Sequence, residues 1–174
     1  MRSASKPLFF VSSLTTAIVF AASAAAESES PLRSAPNSLP PHVERVLAGG
    51  EFELLSLDPT LLTNKQRRRL RAKLFHGWLV LGRGKIRESS ARDHLLQALR
   101  RAIADSSGVF VYCFEPSHAI RASLKRQTVD LVISFACQRI EVYSPENSPV
   151  AVDPSAGPPF DAALKRAGIP LATR

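Results

Sequence analysis

Between residues 129 and 138 the side chains Val129, Leu131, Ile133, Phe135 and Cys137 alternate with Asp130, Val132, Ser134, Ala136 and Gln138. A period of two places the first set on one face of an extended chain, and that face is wholly apolar. Residues 128–143 therefore read as a strand in a sheet with one side covered. After Gln138 the parity changes, because Ile140 and Val142 are apolar while Arg139 and Glu141 are not. This predicts a bulge near Gln138 and Arg139 or a break into two strands. The cover is also visible. Over residues 90–105, Leu95, Leu96, Leu99, Ala102 and Ile103 recur at helical spacing, Ser90 and Asp93 read as a capping box, and Gly108 follows the end.

Shorter patterns fill in the layout. Residues 42–48 predict a helix with Val43, Val46 and Leu47 inward, stopped at Gly49 and Gly50, and residues 51–57 predict a strand closed by Asp58 and Pro59. Residues 74–81 are apolar on both parities around Trp78, which predicts one strand covered on both faces. The Gly82-Arg83-Gly84-Lys85 run that follows fits neither the dinucleotide nor the P-loop glycine spacing and reads as a hairpin turn. Further strands are expected at 109–114 and 118–123, with a turn at 124–127. A proline-rich connection is expected over 144–159, and a helix over 159–167 with Phe160, Ala163, Leu164 and Ala167 inward. The sum is one α+β domain with an antiparallel sheet of about five strands, one main helix (about 90–105) and a C-terminal helix (about 159–167).

The N-terminus points to export. Arg2 and Lys6 precede an apolar stretch from Leu8 to Val19, and Ala24, Ala25 and Ala26 supply small residues for cleavage after Ala26, so residues 1–26 read as a signal peptide. The competing expectation is a retained anchor, since residues 8–26 carry no charge and just reach the length of a bilayer span. Residues 27–41 hold four prolines among serines and charges and predict a disordered tether. That leaves 42–174 as the single domain, periplasmic or secreted, with no transmembrane segment after cleavage. Losing Arg2 and Lys6 takes the formal net charge from +8 to +6, so the exported chain is basic and attracts anionic partners. At 45% hydrophobic and 22% charged residues, the composition belongs to a globular domain and excludes a wholly disordered one.

Several stretches also carry a resemblance. They are Phe75-His76-Gly77-Trp78-Leu79-Val80-Leu81-Gly82, Cys113-Phe114-Glu115-Pro116-Ser117-His118-Ala119-Ile120-Arg121-Ala122, Thr128-Val129-Asp130-Leu131-Val132-Ile133-Ser134-Phe135 and the closing Phe160-Asp161-Ala162-Ala163-Leu164-Lys165-Arg166-Ala167-Gly168. Together they resemble a group of small exported bacterial proteins of unknown function, over most of residues 51–172. The pattern has Arg before the histidine and Gly after it, where this chain has Ser117 and Ala119. The resemblance implies no activity.

Two groups of residues are candidates for function. Lys65, Arg67, Arg68, Arg69, Arg71 and Lys73 place six cations within nine residues, following Thr63 and Gln66, which read as a capping box. They are either a contact for an anionic envelope component or another protein, or a solvated charge run. With no aromatic residue interleaved they carry no specific nucleic-acid motif. Cys113, Glu115, His118, Asp130 and Cys137, with His76 as a neighbour, form the second group.

An even cysteine count in an exported chain predicts a Cys113–Cys137 disulfide. A simple meander opposes it, because the strand bearing His118 would hold the two apart by roughly 9–10 Å, beyond the reach of a bridge. Buried free thiols, or a thiol or metal site built on Cys113, His118, Cys137, Asp130 and His76, are the alternatives. No cofactor and no resident metal are expected. The leading functional expectation is a non-catalytic exported binding domain, with an enzyme or metal/thiol site as the alternative.

Overall fold

The computed structural model describes residues 37–109 and 112–173. The expected signal peptide and residues 27–36 of the expected tether lie outside them. The tether's last residues are described, and there Leu39 is buried in the core, so the domain begins a few residues before 42.

Pro41 at the first position of α1 (Pro41–Gly49) needs no N–H partner, and Val43, Val46 and Leu47 bury one stripe. The next residue turns the chain into β1 (Glu51–Asp58) at close quarters. A Cβ on Gly50 would lie 2.6 Å from the carbonyl oxygens of both Val46 and Ser123, which are backbone atoms on two different elements. Gly50→Ala is therefore expected to lower the unfolding free energy by about 1–3 kcal/mol, seen as a lower urea midpoint at unchanged slope.

After β1 come α2 (Asn64–Arg69), one 3₁₀ turn (Arg71–Lys73), β2 (Leu74–Phe75) and β3 (Trp78–Lys85). The single strand expected over 74–81 is thus two. His76 (φ 47°) and Gly77 (φ 90°) form the two-residue hairpin turn that reverses the chain, pairing Phe75 with Trp78. The turn expected at residues 82–85 is instead the end of β3. Its glycines make room, since a Cβ on Gly82 or Gly84 would come within 2.8 or 2.9 Å of the Ile169 side chain, which lies over them.

The main helix α3 (Ser89–Ala104) buries Leu95, Leu96, Leu99, Ala102 and Ile103, the five residues its spacing marked. Its expected capping box is absent. Glu88 is the N-cap, and Ser90 Oγ donates to Glu88 Oε1 at 2.6 Å. Val109 and residues 112–114 lie outside any strand, contrary to expectation, and Val109 and Tyr112 are exposed.

β4 (His118–Leu124) and β5 (Gln127–Ser134) join through the tight turn at Lys125 and Arg126. The long alternating segment then breaks, as one of the two sequence readings allowed, at a loop of residues 135–138 in which Gln138 has φ 53°. β6 (Arg139–Tyr143) follows. The expected connection hides one more strand, β7 (Ser148–Ala151), before α4 (Gly157–Arg166) closes the fold. In α4 Phe160, Ala163 and Leu164 are buried but Ala167 is exposed beyond the helix end.

All pairings are antiparallel, in the order β2-β3-β1-β4-β5-β6-β7. The α+β class stands, with seven strands and four α-helices among the described residues, where about five strands, one main helix and a C-terminal helix are expected. One face of the sheet packs Phe52, Leu54, Ile120, Leu131, Ile133 and Ile140 against α1, α3 and α4. The opposite face has its own smaller cluster of Leu55, Leu57, Phe75, Ala119 and Val132, edged by Trp78, Val80, Phe114 and Tyr143, to which no helix contributes. Among the described residues no helix is long and apolar enough to cross a membrane.

Candidate functional site

Cys113 and Cys137 are joined by a disulfide, with Cα atoms 5.5 Å apart. The meander argument fails because neither cysteine lies in a strand. Cys113 sits in the loop after α3 and Cys137 in the β5–β6 loop. One buried hydroxyl brings those loops together. Ser134 Oγ donates to the Glu115 carbonyl at 3.0 Å and accepts from the backbone N–H groups of Glu115 at 3.2 Å and Cys137 at 3.3 Å. With both sulfurs bonded, neither is a thiol, so the free-thiol readings have no thiol to use.

The other members of the expected Cys/His/Asp cluster separate into two places. On the helix-free face Asp130, whose side chain is 8% exposed, accepts from Arg121 twice, Nε to Oδ1 and Nη2 to Oδ2, each at 2.8 Å. His76 Nε2 donates to its Oδ2 at 2.7 Å. Burial would raise the Asp130 carboxyl, but the bonds from Arg121 and His76 outweigh it and hold the group below the ordinary carboxylate range. The same bond raises the Arg121 guanidinium.

The His76 ring stacks on Tyr143 with centroids 3.6 Å apart, and Arg121 lies 4.9 Å over the Phe75 ring. Burial raises the Tyr143 hydroxyl. The hairpin tip thus touches β4, β5 and β6, which curls the sheet across its own face.

His118 is on the helix-covered face, packed between Phe135 and Phe160. Its Nε2 donates to Asp161 Oδ1 at 2.8 Å, which in the neutral ring leaves Nδ1 to accept from Ser117 Oγ at 3.0 Å. Ser117, His118 and Asp161 line a cavity of about 240 Å³ with Leu171 and Ala172. Sequence reading placed neither Ser117 nor Asp161 in a site, since 43 residues separate His118 from its carboxylate and helical spacing reports only the buried face of α4. The contact ties α4 to the sheet. Among the described residues no group of three or more His, Cys, Asp and Glu side chains is placed to hold a metal ion.

The basic segment has a different character. α2 buries no residue. The capping box forms as its sequence indicates, with Thr63 N donating to Gln66 Oε1 at 2.8 Å and Gln66 N to Thr63 Oγ1 at 3.3 Å. The helix is so short that Arg67, Arg68 and Arg69 fall in its last turn, where the helix dipole favours cations. Lys65, Arg68, Arg69, Arg71 and Lys73 are exposed, while Arg67 is half-buried and donates to the Leu62 carbonyl at 3.3 Å. Among the described residues none of the six forms an ion pair, whereas Lys85, Arg83, Arg100 and Arg121 all do.

No protein-family model, curated protein or solved structure matches this chain.

Proposed function

We propose that this chain is an exported, non-catalytic α+β domain that binds an anionic partner through residues 65–73. The observation that carries the reading is six cations on a capped, surface-held segment that buries nothing in α2 and pairs no carboxylate among the described residues. Arg83, Lys85, Arg100 and Arg121 are paired within the domain, and of the cations not paired with a carboxylate these six form the densest run. Export rests on the leader sequence, and a disulfide suits an oxidising compartment. Mass analysis of the secreted protein is expected to show Glu27 at the N-terminus.

Replacing Arg67, Arg68, Arg69 and Arg71 with glutamine is expected to lower the salt needed for elution from a heparin matrix. The fall should exceed that of a variant losing Arg45, Arg101, Lys125 and Arg126, which are also exposed. Equal shifts would mean that retention follows net charge alone, and the segment would have no special role.

A further inference from the structure

We infer that the anionic partner is a lipid bilayer, met by the surface formed by Leu61 and residues 65–73; this rests on the binding role proposed above. Leu61 is 76% exposed and, of the three large apolar side chains left exposed among the described residues, it is the one that adjoins the cations. Two residues later the Thr63–Gln66 box caps α2, so Leu61 lies at the entry to the charged helix. Leu62 and Leu70 are half-buried.

An exposed aliphatic side chain beside cations on long, flexible stems is the chemistry of an interfacial contact. The leucine enters the boundary between headgroups and acyl chains, and the lysines and arginines reach the phosphates. Against a nucleic acid the leucine gains nothing, and the run from Leu61 to Lys73 has no aromatic ring on which a base stacks. Leu61 belongs to neither apolar cluster of the domain, so its side chain is available to a partner.

The test is co-sedimentation of the exported, processed protein with vesicles of phosphatidylcholine, with and without phosphatidylglycerol. Binding is expected to the anionic vesicles and to weaken steeply as salt screens the surface. Leu61→Ser is expected to weaken that binding about five-fold, a modest share of the effect of burying a leucine, while leaving heparin retention and the urea midpoint unchanged. Retention on heparin with no binding to anionic vesicles overturns the bilayer and keeps the anionic contact. Vesicle binding that ignores Leu61→Ser overturns the inserted leucine and with it the lipid surface proposed here. Loss of both heparin and vesicle binding removes the underlying role as well.

Discussion

Asp130→Ala is expected to lower the unfolding free energy by about 3 kcal/mol, at the low end for breaking a buried pair because Arg121 and His76 keep part of their solvent contact. The carboxylate is the one acceptor shared by a guanidinium from β4 and an imidazole from the hairpin turn. Removing it strands two donors on a half-closed face and frees the tip that curls the sheet. Urea unfolding followed by circular dichroism measures the loss.

The same carboxyl sets an acid limit. Its folded pKa is depressed, so between that value and the ordinary aspartate value of about 3.9 the unfolded chain binds more protons, and stability rises with pH. The contribution is complete above that ordinary value and is lost as pH falls through the depressed folded value. The parent protein is expected to lose stability more steeply on acidification below about pH 4 than Asp130→Asn. Parallel acid profiles would show that the cluster does not govern this range.

Removing the disulfide has the second large effect. Cys113 and Cys137 close a loop with a sequence separation of 24, for which unfolded-chain entropy gives about 3.5 kcal/mol. Cys113→Ala/Cys137→Ala is expected to lose that amount and to become cleavable by chymotrypsin beside Tyr112, which already stands fully in solvent. Denatured, unreduced parent protein should give no free thiol by Ellman titration. Two free thiols would overturn the bridge.

Local patterns in the chain proved informative where one physical signal acted alone. Helical spacing located α1, α3 and the inward Phe160, Ala163 and Leu164 of α4, and Thr63 with Gln66 located the start of α2. Errors arose where two causes produce the same letters. Apolar residues on both parities from Leu74 to Leu81 suggest a fully covered strand, but they also arise when two strands flank a turn, and His76 at φ 47° has no strong sequence mark. Gly82 and Gly84 resemble turn residues because nothing local reveals that Ile169 needs their missing side chains.

Residues 109–114 have strand composition, yet their described members lie outside the sheet, in the loop the disulfide ties down. The site was legible in the same uneven way. The basic segment and the disulfide pair stood out in the sequence. The His76–Asp130 and His118–Asp161 contacts, spanning 54 and 43 residues, depend on a sheet order that no local pattern carries.

The two ends of the sheet bear on how this chain survives in company. β2 contributes two residues to one border and β7 four to the other, Pro149 among them, which has no N–H to offer. At the β7 border a second copy finds a short template interrupted by that proline, whereas β2 covers only Trp78 and Leu79 of β3 and leaves residues 80–85 along the other border. Any pairing between copies is therefore directed to the β3 border, where residues 80–85 carry the longest stretch of backbone without a neighbouring strand.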